Sequence, residues 1–119
     1  MRESIEARKS IAEQMTKNLF ISWSHGRFKP LGDEANAVMQ SLLTPQRQKE
    51  IDQAVSALFG AYQSMTFIEA WGPARGLPSV IYRFKACFSN SKERPEIRVV
   101  IDGAGRLAGF CIKPWRIKV

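Results

Sequence analysis

The sequence predicts an α+β domain in which three helices precede four antiparallel strands. Two observations carry this reading. Apolar residues recur at helical spacing up to Phe59, and the apolar period changes to two after Ala61. Helices followed by a run of strands, instead of alternating with them, point to an antiparallel meander with the helices layered on one face. The 119 residues suit one domain, residues 1–119, and a hydrophobic fraction of 45% is enough to build its core.

The first helix is expected from Glu3 to about Ser24, with Ile5, Ala12, Met15 and Leu19 on one face and Ile11 and Trp23 extending it. Gly26 is a suitable residue to end it, with His25 in the last turn, where a cation favours the helix dipole. A shorter helix follows Pro30, with Asp33 as its expected cap and Ala35, Val38, Met39 and Leu42 on one face. Thr44-Pro45 opens the third helix, because Thr caps well and Pro fits the first helical position. That helix runs to Phe59, and Gly60 stops it; Ile51, Val55, Leu58 and Phe59 form its apolar face, beside Ala54. Arg47 stands at the third helical position, so there is no capping box.

The strands begin at Ser64–Trp71, a run rich in β-formers. GPARGLP then reads as a loop. Ser79 to Ser89 alternates cleanly: Val80, Tyr82, Phe84, Ala86 and Phe88 share one face, the natural inner one, and Ile81, Arg83, Lys85 and Cys87 share the other. SNSKERP is a second turn. Two further strands, Glu96–Ile101 and Arg106–Ile112, flank a DGAG hairpin turn, and Pro114 and Trp115 close the last one. In such a meander Cys87 and Cys111 lie on strands two apart, about 10 Å from each other. A disulfide needs Cα atoms within roughly 7 Å, so the pair is expected to be reduced. Two cysteines at this spacing match no zinc pattern, and no metal or cofactor site is expected.

The net charge of +7 is unevenly spread. Met1–Gly60 holds eight Lys/Arg against seven Asp/Glu, and Ala61–Val119 holds ten against four, so the excess sits in the strand half. No basic tail is present. No apolar run reaches the roughly 20 residues of a membrane helix, and the polar start MRESIEARKSIAEQ is no signal peptide. If Met1 is the native start, a cytoplasmic location is expected.

A long helix, a short one, LTPQRQKEIDQAVSALFGAYQSM, and strands ending in RVVIDGAGRLAGFCIKP together resemble small domains of unknown function in the nuclear transport factor 2-like (cystatin-like) superfamily. The matching cues are Leu43-Thr44-Pro45, Gly60-Ala61-Tyr62 and Leu107-Ala108-Gly109-Phe110. The closest such family often stands fused to, or beside, secreted serine hydrolases. This chain departs from that setting, since it shows no export signal and no hydrolase, and its GPARGLP loop exceeds a tight hairpin. The resemblance implies a curved four-stranded sheet wrapped around the long helix, with a cone-shaped cavity between them. It covers about Ile5 to Trp115 and selects no activity, because that superfamily hosts isomerases, dehydratases, carriers and dimerisation modules.

Candidate sites follow from residue type. His25 is the one histidine, and as a catalyst it lacks an orienting carboxylate on its own element. Glu69 is in phase with Phe67 and Trp71. Facing inward it is a buried carboxylate of raised pKa; facing outward, the favoured reading, it pairs with Arg83 or Lys85. Among the aromatics, Trp23, Tyr62, Trp71 and Tyr82 are the candidates to line a pocket for a small apolar ligand, with a plain core role as the default. Ile81, Arg83, Arg98, Val100 and Phe110 are expected on the outer sheet face, a mixture too apolar for open water and suited to a homodimer contact. The expected function is a non-catalytic homodimeric module that binds a small ligand or partner protein. The alternative is an isomerase- or dehydratase-like enzyme with Glu69 or His25 as base. Weak nucleic-acid binding through the basic strands comes third, since RVVID is not an RNA-binding signature.

Overall fold

The computed structural model describes residues 5–73, 78–90 and 94–113. The chain runs α1 (Ile5–Ser24), α2 (Ala37–Leu42), α3 (Pro45–Phe59), β1 (Tyr62–Trp71), β2 (Val80–Phe88), β3 (Glu96–Ile101) and β4 (Leu107–Lys113). The four strands pair antiparallel in chain order, so the fold is α+β with a meander sheet. Pro114 and Trp115, expected to close the last strand, lie outside the described residues, as do Glu3 and parts of both strand-connecting loops.

Local chemistry sets the helix ends. At the end of α1, the Gly26 N–H donates to Trp23 O and the Arg27 N–H to Ser22 O, both at 2.9 Å. This is a Schellman closure, and Gly26 takes the positive φ of 70° that it requires. Thr44 caps α3 by accepting the Arg47 N–H at 3.2 Å, with Pro45 just inside the helix. The α2 cap is Asn36, not Asp33: its Oδ1 accepts the Met39 N–H at 2.9 Å. The helix starts late because residues 34–36 are occupied elsewhere. Leu107 N–H donates to Glu34 O and Asn36 N–H to Leu107 O, which makes Ala35 a parallel bridge on the β4 edge.

The core lies between α1 and the sheet. Val80, Tyr82, Phe84 and Ala86 of β2 and Ile97, Val99 and Ile101 of β3 are fully shielded from water. Burying side chains of this size stabilises by roughly 1.5–3 kcal/mol each. The buried stripe of α1 is Arg8, Ala12, Thr16, Leu19, Phe20 and Trp23, which keeps to helical spacing. Arg8, only 2% exposed, donates to Pro78 O at 2.6 Å, and the Tyr82 hydroxyl donates to Ile5 O at 2.6 Å. These two bonds tie the first turn of α1 to the sheet. On α3 the buried residues are Gln48, Val55 and Phe59, with Ile51 partly covered. Leu58, expected on that face, is 71% exposed, and Val38 and Leu42 of α2 also face water.

Three register shifts decide which side chains reach the core. Two lie in the β1–β2 pair, between Tyr62 and Ser64 and between Phe67 and Glu69, and the third in the β3–β4 pair at Val100/Ile101. A bulge inserts one residue and reverses the alternation beyond it. Phe67 therefore pairs beside the buried Phe84, whereas Glu69 and Trp71 pair with Arg83 and Ile81 on the opposite face. In the same way Leu107 and Phe110 both face the helices, although three positions apart. Phe110 packs on Phe20 and Trp23, with ring centroids at 6.5 and 6.3 Å. The expectation that it lies on the outer face is thus corrected. Cys87 and Cys111 are free thiols on strands separated by β3.

The α3–β1 junction is laced to the end of β2. Asn90 N–H donates to Phe59 O, Ser89 N–H to Ala61 O, and Ala61 N–H to Ser89 Oγ. Gly60 sits inside this lacing at φ 87°, and a Cβ there would come within 2.5 Å of Ser89 Oγ and 2.8 Å of Asn90 N. Gly60→Ala should therefore lose roughly 2 kcal/mol or more of stability in urea unfolding. A variant as stable as the parent would show that this junction relaxes freely.

Candidate functional site

The sheet face turned away from the helices carries a cluster of charge and aromatic surface. Cross-strand register sorts it into three rows. Trp71, Ile81, Val100 and Gly109 form one, Glu69, Arg83, Arg98 and Cys111 the next, and Thr66, Lys85, Glu96 and Lys113 the third. The middle row sets two arginines opposite each other, which by itself is destabilising. Glu96 resolves the conflict. Its carboxylate accepts Arg83 Nε at 3.1 Å and Nη2 at 2.7 Å, a bidentate grip, and also accepts Arg98 Nε.

Glu69 joins the network from β1. Its Oε1 accepts Arg83 Nη1 and the Trp71 indole N–H, the latter at 2.8 Å. The guanidinium carbons of Arg83 and Arg98 lie 4.5 and 4.8 Å from the Trp71 ring centre. Two cations and two carboxylates thus close a locally neutral assembly against one indole. Glu96 is 4% exposed even though its strand position faces outward, because the arginines cover it. Hydrogen bonding from Arg83, and then from Arg98, pulls its carboxyl down from 4.5 to about 2 against the opposing effect of burial. Arg83 is raised in turn, chiefly by Glu96.

Three of the grooves among the described residues lie elsewhere. The largest of these three, about 560 Å³, runs between α1 and the segment after it, walled by Ile11, Met15, Leu19 and Leu31. A second, about 270 Å³, opens where α1, α3 and β1 meet and holds Trp23, Tyr62 and Asp52. A third, about 450 Å³, adjoins it along α1 and β1.

The predicted pocket residues are therefore dispersed. Trp23 and Tyr62 share the 270 Å³ cleft. Tyr82 is wholly buried and fills the interior, and Trp71 stands on the opposite sheet face, 40% exposed. Of the predicted outer-face residues, Ile81, Arg83, Arg98 and Val100 do share one surface and Phe110 does not. Glu69 takes its outward, paired alternative with Arg83. His25 is exposed in the turn after α1, outside all three grooves. Neither residue stands in an enclosed space between helices and sheet.

Two participants escaped sequence reasoning. Glu96 reads as the first residue of a strand, and only its position opposite Lys85 and beside both arginines reveals its role. Asp52 borders the Ile51–Val55 stripe of α3, a weak signal that it faces a cleft. Burial raises its carboxyl, partly offset by a hydrogen bond from Ser56. Burial also raises the Tyr62 hydroxyl. Among the described residues, no group of three or more His, Cys, Asp or Glu is placed to hold a metal ion, and no helix is long and apolar enough to cross a membrane. Comparison with protein-family models, with curated proteins and with solved structures gave no match.

Glu96 supplies a pH test. Its folded pKa lies below the unfolded value, so its contribution is full above about pH 5 and disappears as pH falls toward 2. Glu96→Gln should lower stability at pH 7 by on the order of 3 kcal/mol. The gap between parent and variant in urea unfolding should narrow steadily below pH 5. A gap of equal size at pH 7 and pH 3 would contradict the network as described.

Proposed function

We propose that the chain is a non-catalytic homodimeric module of the nuclear transport factor 2-like kind, pairing through its outer sheet face and offering a small-ligand cleft on its helix side. The observation that carries this reading is the self-neutralised cluster around Trp71. Arg83 and Arg98 already hold Glu69 and Glu96, so covering them strands no unpaired charge. The indole and the partly covered Ile81 and Val100 supply the apolar area that gains from removal from water. The same patch presented twice about a two-fold axis is self-complementary.

The cone expected of that superfamily draws support from the layering. A 20-residue helix covers the sheet, the Ala35 bridge extends the β4 edge, and three register shifts bend the strands. Residual space lies at the rim, beside Trp23 and Tyr62, because Tyr82 and Phe84 fill the centre. The engagement of Arg83 weighs against phosphate binding by this face, since its Nε, Nη1 and Nη2 all donate to carboxylates, and Arg98 gives its Nε to Glu96 as well.

Light scattering should give twice the 13.5 kDa of one chain, at low and at high salt alike. Trp71→Glu should yield folded monomers. Phe110→Glu should instead damage the core, because Phe110 faces Phe20 and Trp23. A monomer at all concentrations would overturn the dimer.

A further inference from the structure

The cleft between α1, α3 and β1 has an unusual lining for a chain of net charge +7. Its walls are aromatic. Tyr62 stacks on Phe20 at a centroid distance of 4.5 Å with the planes 7° apart, and Phe88 meets both rings edge-on. Trp23 adds a further wall, its ring fixed by an indole N–H bond of 3.0 Å to Gln48 Oε1. The same cleft contains the Asp52 carboxylate and the Ser24 and Ser56 side chains.

Among the described residues, no lysine or arginine approaches Asp52 within ion-pair distance. Its hydrogen bond from Ser56 Oγ is long, at 3.5 Å. Lys17 lines the adjoining groove rather than this cleft. A partly covered carboxylate in a cleft lined by aromatic rings attracts positive charge by ion pairing, and the ring quadrupoles add to that attraction.

We infer that this cleft is a binding site for a small organic cation, an ammonium carried on a short apolar or aromatic stem. The ammonium pairs with Asp52, and the stem lies against Phe20, Trp23 and Tyr62. A volume of about 270 Å³ suits one ring with a short chain. The inference rests on the ligand-binding part of the proposed function and is independent of the dimer.

The test is an NMR titration with 2-phenylethylammonium chloride, with 2-phenylethanol as its neutral counterpart. A probe of about nine heavy atoms should bind with a Kd of roughly millimolar. Saturable shifts are expected at Tyr62, Asp52 and Ser56. The alcohol should bind at least about ten-fold more weakly, and Asp52→Asn should weaken the amine by about ten-fold while leaving the alcohol unchanged. The alcohol comparison, made on the parent protein, decides the matter even if the variant folds poorly. No saturable shift with the amine, or equal affinity for amine and alcohol, would overturn the inference. Light scattering on the same samples separates the two readings: a dimer that fails to bind the amine sinks this inference alone.

Discussion

A sheet that is apolar on one face has to be shut from water on that face, and the remainder of this structure follows from how it is shut. Val80, Tyr82, Phe84 and Ala86 lie in one unbroken row on β2, all inaccessible, and α1 is the element placed over them. The helix is held at its start by polar bonds, from Arg8 to Pro78 O and from Tyr82 to Ile5 O, and at its end by rings, where Phe20 and Trp23 meet Phe88 and Phe110. Polar anchors at one end and aromatic contacts at the other fix both the height and the rotation of the helix. With the interior filled at Tyr82, open space lies at the edges of the packing, and one cleft stands at the aromatic end, where α3 arrives and β1 begins.

The opposite face has a different problem. Its middle row places Arg83 against Arg98, and a carboxylate is needed between them. Glu96 meets that need from the neighbouring row, and Glu69 extends the chain of contacts to Trp71. A one-residue slip of β3 against β2 would separate Glu96 from Arg83 and turn the apolar side chains of β3 outward, so the network and the core specify the same register. Shielded pairs of this sort add less net stability than their short contacts suggest, since desolvation opposes them. What they supply here is a platform in which Arg83 and Arg98 are balanced by Glu69 and Glu96, beside an exposed indole that another surface can cover.

Much of the fold could be read from the chain. The end of α1 and both ends of α3 were legible because each carries its own chemistry: a glycine in the left-handed region, a threonine cap and a proline in the first turn. The β2 alternation was legible because its inner positions are all apolar and buried. The bulges at Phe67/Glu69 and Val100/Ile101 were not legible. Each interrupts a strand with apolar residues on either side, so a change of phase leaves no trace in composition. Phe67 was consequently read in one phase with Glu69 and Trp71, and Phe110 was placed on the outer face. Leu58 misled for a related reason: it extends an apolar stripe that the packing of α3 does not use, and Gln48 is buried in the helix instead, bonded to Trp23 and to Lys29 O. The carboxylates that matter, Glu96 and Asp52, carry no motif. Their roles depend in part on neighbours distant in sequence, Arg83 for Glu96 and Phe20 and Trp23 for Asp52, which a single chain does not display.

The central claim is that the outer face, with Trp71 at one edge of its arginine cluster, is the surface that meets a second copy. The most direct test is to follow NMR shifts while the protein is diluted through dissociation. The account predicts concentration-dependent shifts at the Trp71 indole N–H, Ile81, Val100 and Arg98, with Val38, Leu42 and Leu58 unmoved. Shifts confined instead to those three exposed helix residues would place the contact on the other side of the molecule and contradict the account.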